Sequence, residues 1–130
     1  KADTDLGSFG TYICYEIIFP GQVRKLYSKG GDFIVTITND AWFGRTTGPY
    51  QHYSMAVLRA IENRKPVLRA ANTGISGYID SNGNIRSMTP IFERMTETVD
   101  MVTDKTRSFY SRYGDIFSYI CIILTLLLLI

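Results

Sequence analysis

The chain has 130 residues, enough for one domain with a hydrophobic core, and a formal net charge of +2 at pH 7. Its 14 basic and 12 acidic residues are interspersed without a lysine–arginine stripe, which argues against nucleic acid as the main partner. One histidine and two distant cysteines, Cys14 and Cys121, make no zinc cluster, and neither a metal nor a cofactor is expected.

The opening KADTDLGSFG holds no methionine, no signal-peptide pattern and no apolar h-region, and reads as a cut inside a longer protein. FGTYIC, at 9–14, is a short strand candidate. Pro20 can open a helix, where its missing N–H costs nothing. VRKLYSKGG then sets Val23, Leu26 and Tyr27 on one face before Gly30 and Gly31 end the helix. DFIVTITN is an almost continuous β-branched run, the pattern of a central strand covered on both faces. After the loop NDAWFGRTTG, Pro49 opens a second helix to about Asn63, with Ala56, Val57, Ala60 and Ile61 as its apolar side. Pro66 blocks its continuation, and VLRAA reads as another strand.

ISGYID and NIRSM flank Ser81-Asn82-Gly83, where Asn-Gly supplies the positive φ of a tight hairpin turn. TETVDMV, at 96–102, alternates well enough for an edge strand. Strands alternating with helices predict an α/β layered domain. Residues 116–130 are uncharged and almost wholly aliphatic. As a helix they span about 22 Å, short of the roughly 30 Å hydrocarbon core. Extension back through Tyr113 brings Asp115 to the boundary. A transmembrane helix truncated at its far end is expected here rather than a buried core helix, because the run LLLLI stops with the chain rather than with a cap. The chain thus divides into a domain at 1–107 and a juxtamembrane and transmembrane segment at 108–130. Lys105, Arg107 and Arg112 precede the apolar run, and a positive-inside count alone would leave the domain in the cytoplasm.

Cys14 stands at a strand end just before a helix, where peptide N–H groups and a helix terminus favour the nucleophilic thiolate. A small buried hydrophobe is the alternative. Glu16 either faces the same side as Cys14, is an exposed acid at a turn, or partners Arg24 or Arg69. Trp42 and Phe43 follow a central strand, where ligands collect in open α/β sheets; they could equally plug the core. Asn39 and Asp40 sit at that same strand end, and Asn72-Thr73-Gly74 follow VLRAA. If the three strands are parallel neighbours, Cys14, Asn39-Asp40 and Asn72-Thr73 converge on one rim. His52 is the only possible histidine base, and its place near a helix N-terminus disfavours the imidazolium a Cys14–His52 pair needs. Cys121 is structural, and a disulfide to Cys14 would have to join the domain to the apolar tail.

Together ICYEIIFP, NDAWFG, GPYQH and RAANTGISGYID resemble the C-terminal half of the bacterial apolipoprotein N-acyltransferases, membrane members of the nitrilase (carbon–nitrogen hydrolase) superfamily. The resemblance runs from about Gly7 through the tail. It implies an αββα sandwich, here a partial domain, with a Glu–Lys–Cys catalytic set whose nucleophile is Cys14. It implies the Tyr15 N–H as an oxyanion donor, Tyr15 and Glu16 as site-lining residues, and Trp42 and Phe43 as an aromatic loop near the lipid entrance. The glutamate and lysine would lie upstream of Lys1, with neither Glu62 nor Lys65 in their place, so these residues alone are expected to be inactive.

The implied reaction moves an acyl chain from a phospholipid donor to Cys14, then to the α-amino group of a diacylglyceryl-cysteine lipoprotein. The implied place is the bacterial inner membrane, with the catalytic domain on the periplasmic face. Two rivals remain open: a nitrilase-type amidase that passes the acyl group to water, and a non-catalytic, membrane-anchored binding relative.

Overall fold

In the computed structural model, which describes residues 1–5 and 7–129, six strands make one sheet in chain order. They are β1 (Ala2–Thr4), β2 (Gly7–Ile13), β3 (Phe33–Asn39), β4 (Val67–Asn72), β5 (Gly77–Ile79) and β6 (Ile85–Met88). The helices are α1 (Pro20–Tyr27), α2 (Gly48–Asn63), α3 (Phe109–Tyr113) and α4 (Ile116–Leu128), and two short 3₁₀ turns cover Cys14–Ile18 and Ala41–Phe43.

The central strands β2, β3 and β4 are parallel, with Ile13 paired to Ile37 and Asn39 to Asn72. That register brings their C-terminal ends side by side. Parallel strands need crossovers, and α1 and α2 supply them. The flanking strands run antiparallel, including the foreseen β5–β6 hairpin.

α1 begins at Pro20 and α2 one residue before Pro49, and both bury one stripe against the sheet. Val23 and Tyr27 of α1 and Ala56 and Ala60 of α2 are fully buried against Tyr12, Ile34 and Val67. Each large apolar side chain so removed from water contributes about 1.5–3 kcal/mol. α1 lies close on β2 because Gly10 has no side chain: a Cβ there would stand 1.7 Å from Leu26 Cδ2. Arg24 donates from Nε to the Tyr110 carbonyl at 2.8 Å and from Nη2 to that of Arg112 at 2.9 Å, tying α3 onto α1. Ser111 Oγ reaches Asn63 Oδ1 at the end of α2 at 3.1 Å.

The structure corrects three expectations. β3 is covered along its length on one face, where Ile34, Thr36 and Thr38 are buried under the helices; on the opposite face Phe33 is buried but Ile37 is 52 % exposed. Residues 96–102 form no strand; they run as an irregular segment beside β5 and β6.

The third correction concerns the C-terminal transmembrane helix. Gly114, at φ +68°, ends α3 and separates it from α4, so the helical run does not extend back through Tyr113. α4 has thirteen residues, about 20 Å at 1.5 Å per residue. No helix among the described residues is long and apolar enough to cross a membrane. The last residue of the predicted span, Ile130, lies outside the described residues. The inner-membrane placement with a periplasmic domain, implied by the resemblance, finds no membrane-spanning helix among the described residues to support it.

Candidate active site at the ends of the parallel strands

Cys14 is the first residue after β2 and opens the 3₁₀ turn, half-exposed, with φ at +51°. An L-residue in the left-handed region costs about 1–2 kcal/mol, and such strain persists where the surroundings over-determine it. Two hydrogen bonds bracket the strained residue. On one side Ile13 N–H donates to Glu16 Oε2 at 2.8 Å. On the other, the Cys14 carbonyl oxygen lies 3.2 Å from His52 Nε2. A carbonyl only accepts, so Nε2 carries the proton in this contact. Tyr15 is the second residue of the turn, and the first N–H groups of a helical turn have no partner within it.

Beneath Cys14 lies a buried polar cluster. Asp40, just past the end of β3, accepts from Thr38 Oγ1 at 3.0 Å on Oδ1 and from Arg69 Nη2 at 2.8 Å on Oδ2, and its Oδ1 lies 2.9 Å from His52 Nδ1. Arg69 Nε also donates to the Ile75 carbonyl at 3.0 Å. His52 Nδ1 thus faces Asp40 Oδ1 at 2.9 Å and Arg69 Nη2 at 3.2 Å, while Nε2 faces Cys14. Burial would push the Asp40 carboxyl up, but the His52 hydrogen bond and the Arg69 charge outweigh it, and the group sits below the ordinary carboxylate range. Burial lowers Arg69 against the opposing charge of Asp40. The fit is tight, for a Cβ on Gly74 would stand 2.4 Å from Asp40 Oδ2.

The aromatic pair divides. Phe43 is half-buried, its ring 6.3 Å from that of His52 and packed on Gly48. Trp42 is 81 % exposed and held at its edge, where Nε1 donates to the Asn39 carbonyl at 2.8 Å. The exposed Tyr15 ring lies 5.9 Å from His52. Tyr15, Phe43 and Met55 line a small cavity of about 120 Å³ over the His52 ring.

The predicted convergence is present: Cys14, Asp40 and Asn72 meet on one rim, with Asp40 N–H donating to the Asn72 carbonyl at 3.3 Å. Glu16 pairs with neither Arg24 nor Arg69, because its carboxylate is turned onto the backbone of its own turn. No hydrogen bond to Cys14 Sγ is present among the described residues; His52 meets the carbonyl oxygen instead. Glu62 is paired with Arg59, and Lys65 bonds the Asp104 carbonyl beyond the far end of α2, roughly 20 Å along the helix from His52. The cluster of Asp40, His52 and Arg69 was not foreseen as a unit. Its one sequence signal is Arg69, a charge with the inward parity of Val67 in an otherwise apolar strand.

The sheet carries a strained cysteine at the end of a parallel strand, and this chain belongs to the carbon-nitrogen hydrolase family: the carbon-nitrogen hydrolase profile matches residues 1–110. It is 50% identical over 120 residues to an apolipoprotein N-acyltransferase of Geobacter metallireducens, a match covering 92% of this chain and 23% of that protein. The homology anticipated from the motifs is therefore present, and the chain spans about a quarter of that relative's length. Among solved structures it matches a branch 10 nitrilase-superfamily member from Saccharomyces cerevisiae, with TM-score 0.61 and 26% identity over 71% of this chain and 36% of the other. It also matches an amidase from Nesterenkonia, with TM-score 0.55 and 21% identity over 64% of this chain and 34% of that one. These likenesses support a nitrilase-like α/β sandwich, to which this chain contributes one sheet and the helix layer on one face.

Proposed function

We propose that the whole protein is an acyltransferase carrying acyl chains from phospholipid to the N-terminal amine of lipoproteins, with Cys14 as nucleophile. The observation that carries this reading is Cys14 itself, held at φ +51° on the rim of the sheet in a chain half-identical to an apolipoprotein N-acyltransferase.

In the first step the Cys14 thiolate attacks the ester carbonyl carbon. The S–C bond forms, the ester C–O bond breaks, and the lysophospholipid leaves as its alcohol after taking a proton. In the second, the α-amino nitrogen of diacylglyceryl-cysteine attacks the thioester. The N–C bond forms, the C–S bond breaks, Cys14 leaves as thiolate and the amine loses a proton to a base. A covalent intermediate lets two bulky lipids use one site in turn.

The Tyr15 N–H, free within its turn, is suited to the oxyanion of both tetrahedral intermediates; one such donor contributes about 3–4 kcal/mol. Glu16 supports that turn through Ile13. Phe43 and the exposed Trp42 offer apolar surface to the acyl chain. The general base and the lysine of the family's set come from elsewhere in the whole protein, as Glu62 and Lys65 are engaged away from the rim.

The test is to incubate the full-length protein with phospholipid labelled in its acyl chain. A hydroxylamine-labile adduct on Cys14, transferred to a diacylglyceryl-cysteine peptide and lost in Cys14→Ser, is the expected result. Release of the label as free acid, with none on the peptide, would instead establish a hydrolase. Lipoprotein acylation surviving in Cys14→Ser would leave only a binding role.

A further inference from the structure

Three observations point past the nucleophile to what holds it. Cys14 occupies a backbone region that an L-residue reaches only under constraint. The side-chain hydrogen bond to its own carbonyl comes from His52, across 38 residues of sequence, whereas the bond to Ile13 on its other side comes from its own turn. His52 is itself immobilised: it is buried, its Nδ1 is 2.9 Å from Asp40 Oδ1, and Asp40 is fixed in turn by Arg69 and Thr38.

We propose that His52 is a positioning residue for the nucleophile: its Nε2–H, aimed by the buried Asp40–Arg69 pair, grips the Cys14 carbonyl and sets the left-handed turn that places the Cys14 sulfur and the Tyr15 N–H around one reacting carbonyl. The proposal rests on the reading of Cys14 as an acyl acceptor, whichever donor it uses. His52 here takes no proton from the thiol. It acts through the backbone, and its loss allows the turn to relax. Misplacement of a reacting group by about 1 Å can cost on the order of 100-fold in rate.

Three variants separate the carbonyl contact from the bulk of the ring. In His52→Gln the amide NH₂ reaches the place of Nε2 and can still donate to the Cys14 carbonyl. In His52→Asn the shorter amide reaches Asp40 but not Cys14. His52→Phe fills the space and makes neither bond. The experiment uses the full-length protein and p-nitrophenyl butyrate, whose p-nitrophenolate is released as the butyryl group moves to Cys14, so no phospholipid is required. Iodoacetamide alkylation of Cys14 runs in parallel, because that displacement needs a thiol but no oxyanion donor.

The expected result is that the acylation burst slows about 30- to 100-fold in His52→Phe and His52→Asn, with KM unchanged, and returns to within about fivefold of wild type in His52→Gln. Alkylation stays within about twofold in all three. Wild-type burst rates in His52→Phe and His52→Asn would overturn the proposal. So would a Gln variant as slow as the Phe variant, or a parallel fall in acylation, alkylation and thermal midpoint, which marks a purely structural histidine. Absence of any phospholipid-derived adduct on the wild-type protein overturns the acyltransferase reading alone, since the p-nitrophenyl ester still reports on His52. A wild-type protein with no burst at all overturns both.

Discussion

Asp40 Oδ2 and Arg69 Nη2 lie 2.8 Å apart, and neither side chain exposes any surface to solvent. The pair joins the end of β3 to the middle of the adjacent parallel strand β4 and has His52 packed against it, with Arg69 Nη2 3.2 Å from the ring nitrogen Nδ1. A buried charge pair gains little over an apolar pair of the same shape, but losing one partner leaves the other uncompensated.

Arg69→Met should therefore destabilise the protein by about 3–5 kcal/mol. Adding Asp40→Asn should recover part of that loss, because the stranded carboxylate is then removed. Urea unfolding of the whole protein, run as a double-mutant cycle, checks both the size and the recovery.

The same pair predicts how stability depends on acid. Asp40 is depressed below its ordinary value of 3.8, so the unfolded state binds its proton more readily than the folded one. Its contribution is complete above about pH 3.8 and is lost as pH falls through the lower folded value. Asp40→Asn should flatten the acid limb of the stability–pH curve in that window and leave the slope near neutrality unchanged.

Cys14 should be stabilised by removing its side chain altogether. At φ +51° glycine bears no Cβ penalty, whereas alanine keeps it. Cys14→Gly is expected to be more stable than Cys14→Ala by about 1 kcal/mol, with both inactive. Equal thermal midpoints for the two variants would remove the argument that the turn is strained.

Trp42 and Phe43, adjacent in sequence, should respond differently. Trp42 is 81 % exposed, so Trp42→Ala is expected to change stability by no more than about 0.5 kcal/mol and to act on KM for phospholipid. Phe43 packs on Gly48 and the His52 ring, and Phe43→Ala should cost about 1–2 kcal/mol. Thermal unfolding beside phospholipid kinetics separates the two effects.

Local physics made much of this fold legible in advance. Pro20 and Pro49 mark helix starts because a missing N–H is harmless in the first turn. The β-branched run of β3 and the Asn-Gly hairpin declare themselves by backbone preference, and the motifs around Cys14 carried the family. What failed depended on partners or on a single dihedral. The 96–102 segment alternates like a strand yet has no ladder to join, and Gly114, at positive φ, separates the tail helix from α3. The polar residues at the strand ends were readable one by one. Their arrangement was not, because the side-chain bonds from His52 to Cys14 and from Arg69 to Asp40 span 38 and 29 residues. Sequence records which groups are present; only the parallel register of β2, β3 and β4 decides that they meet, and that burial makes them depend on one another.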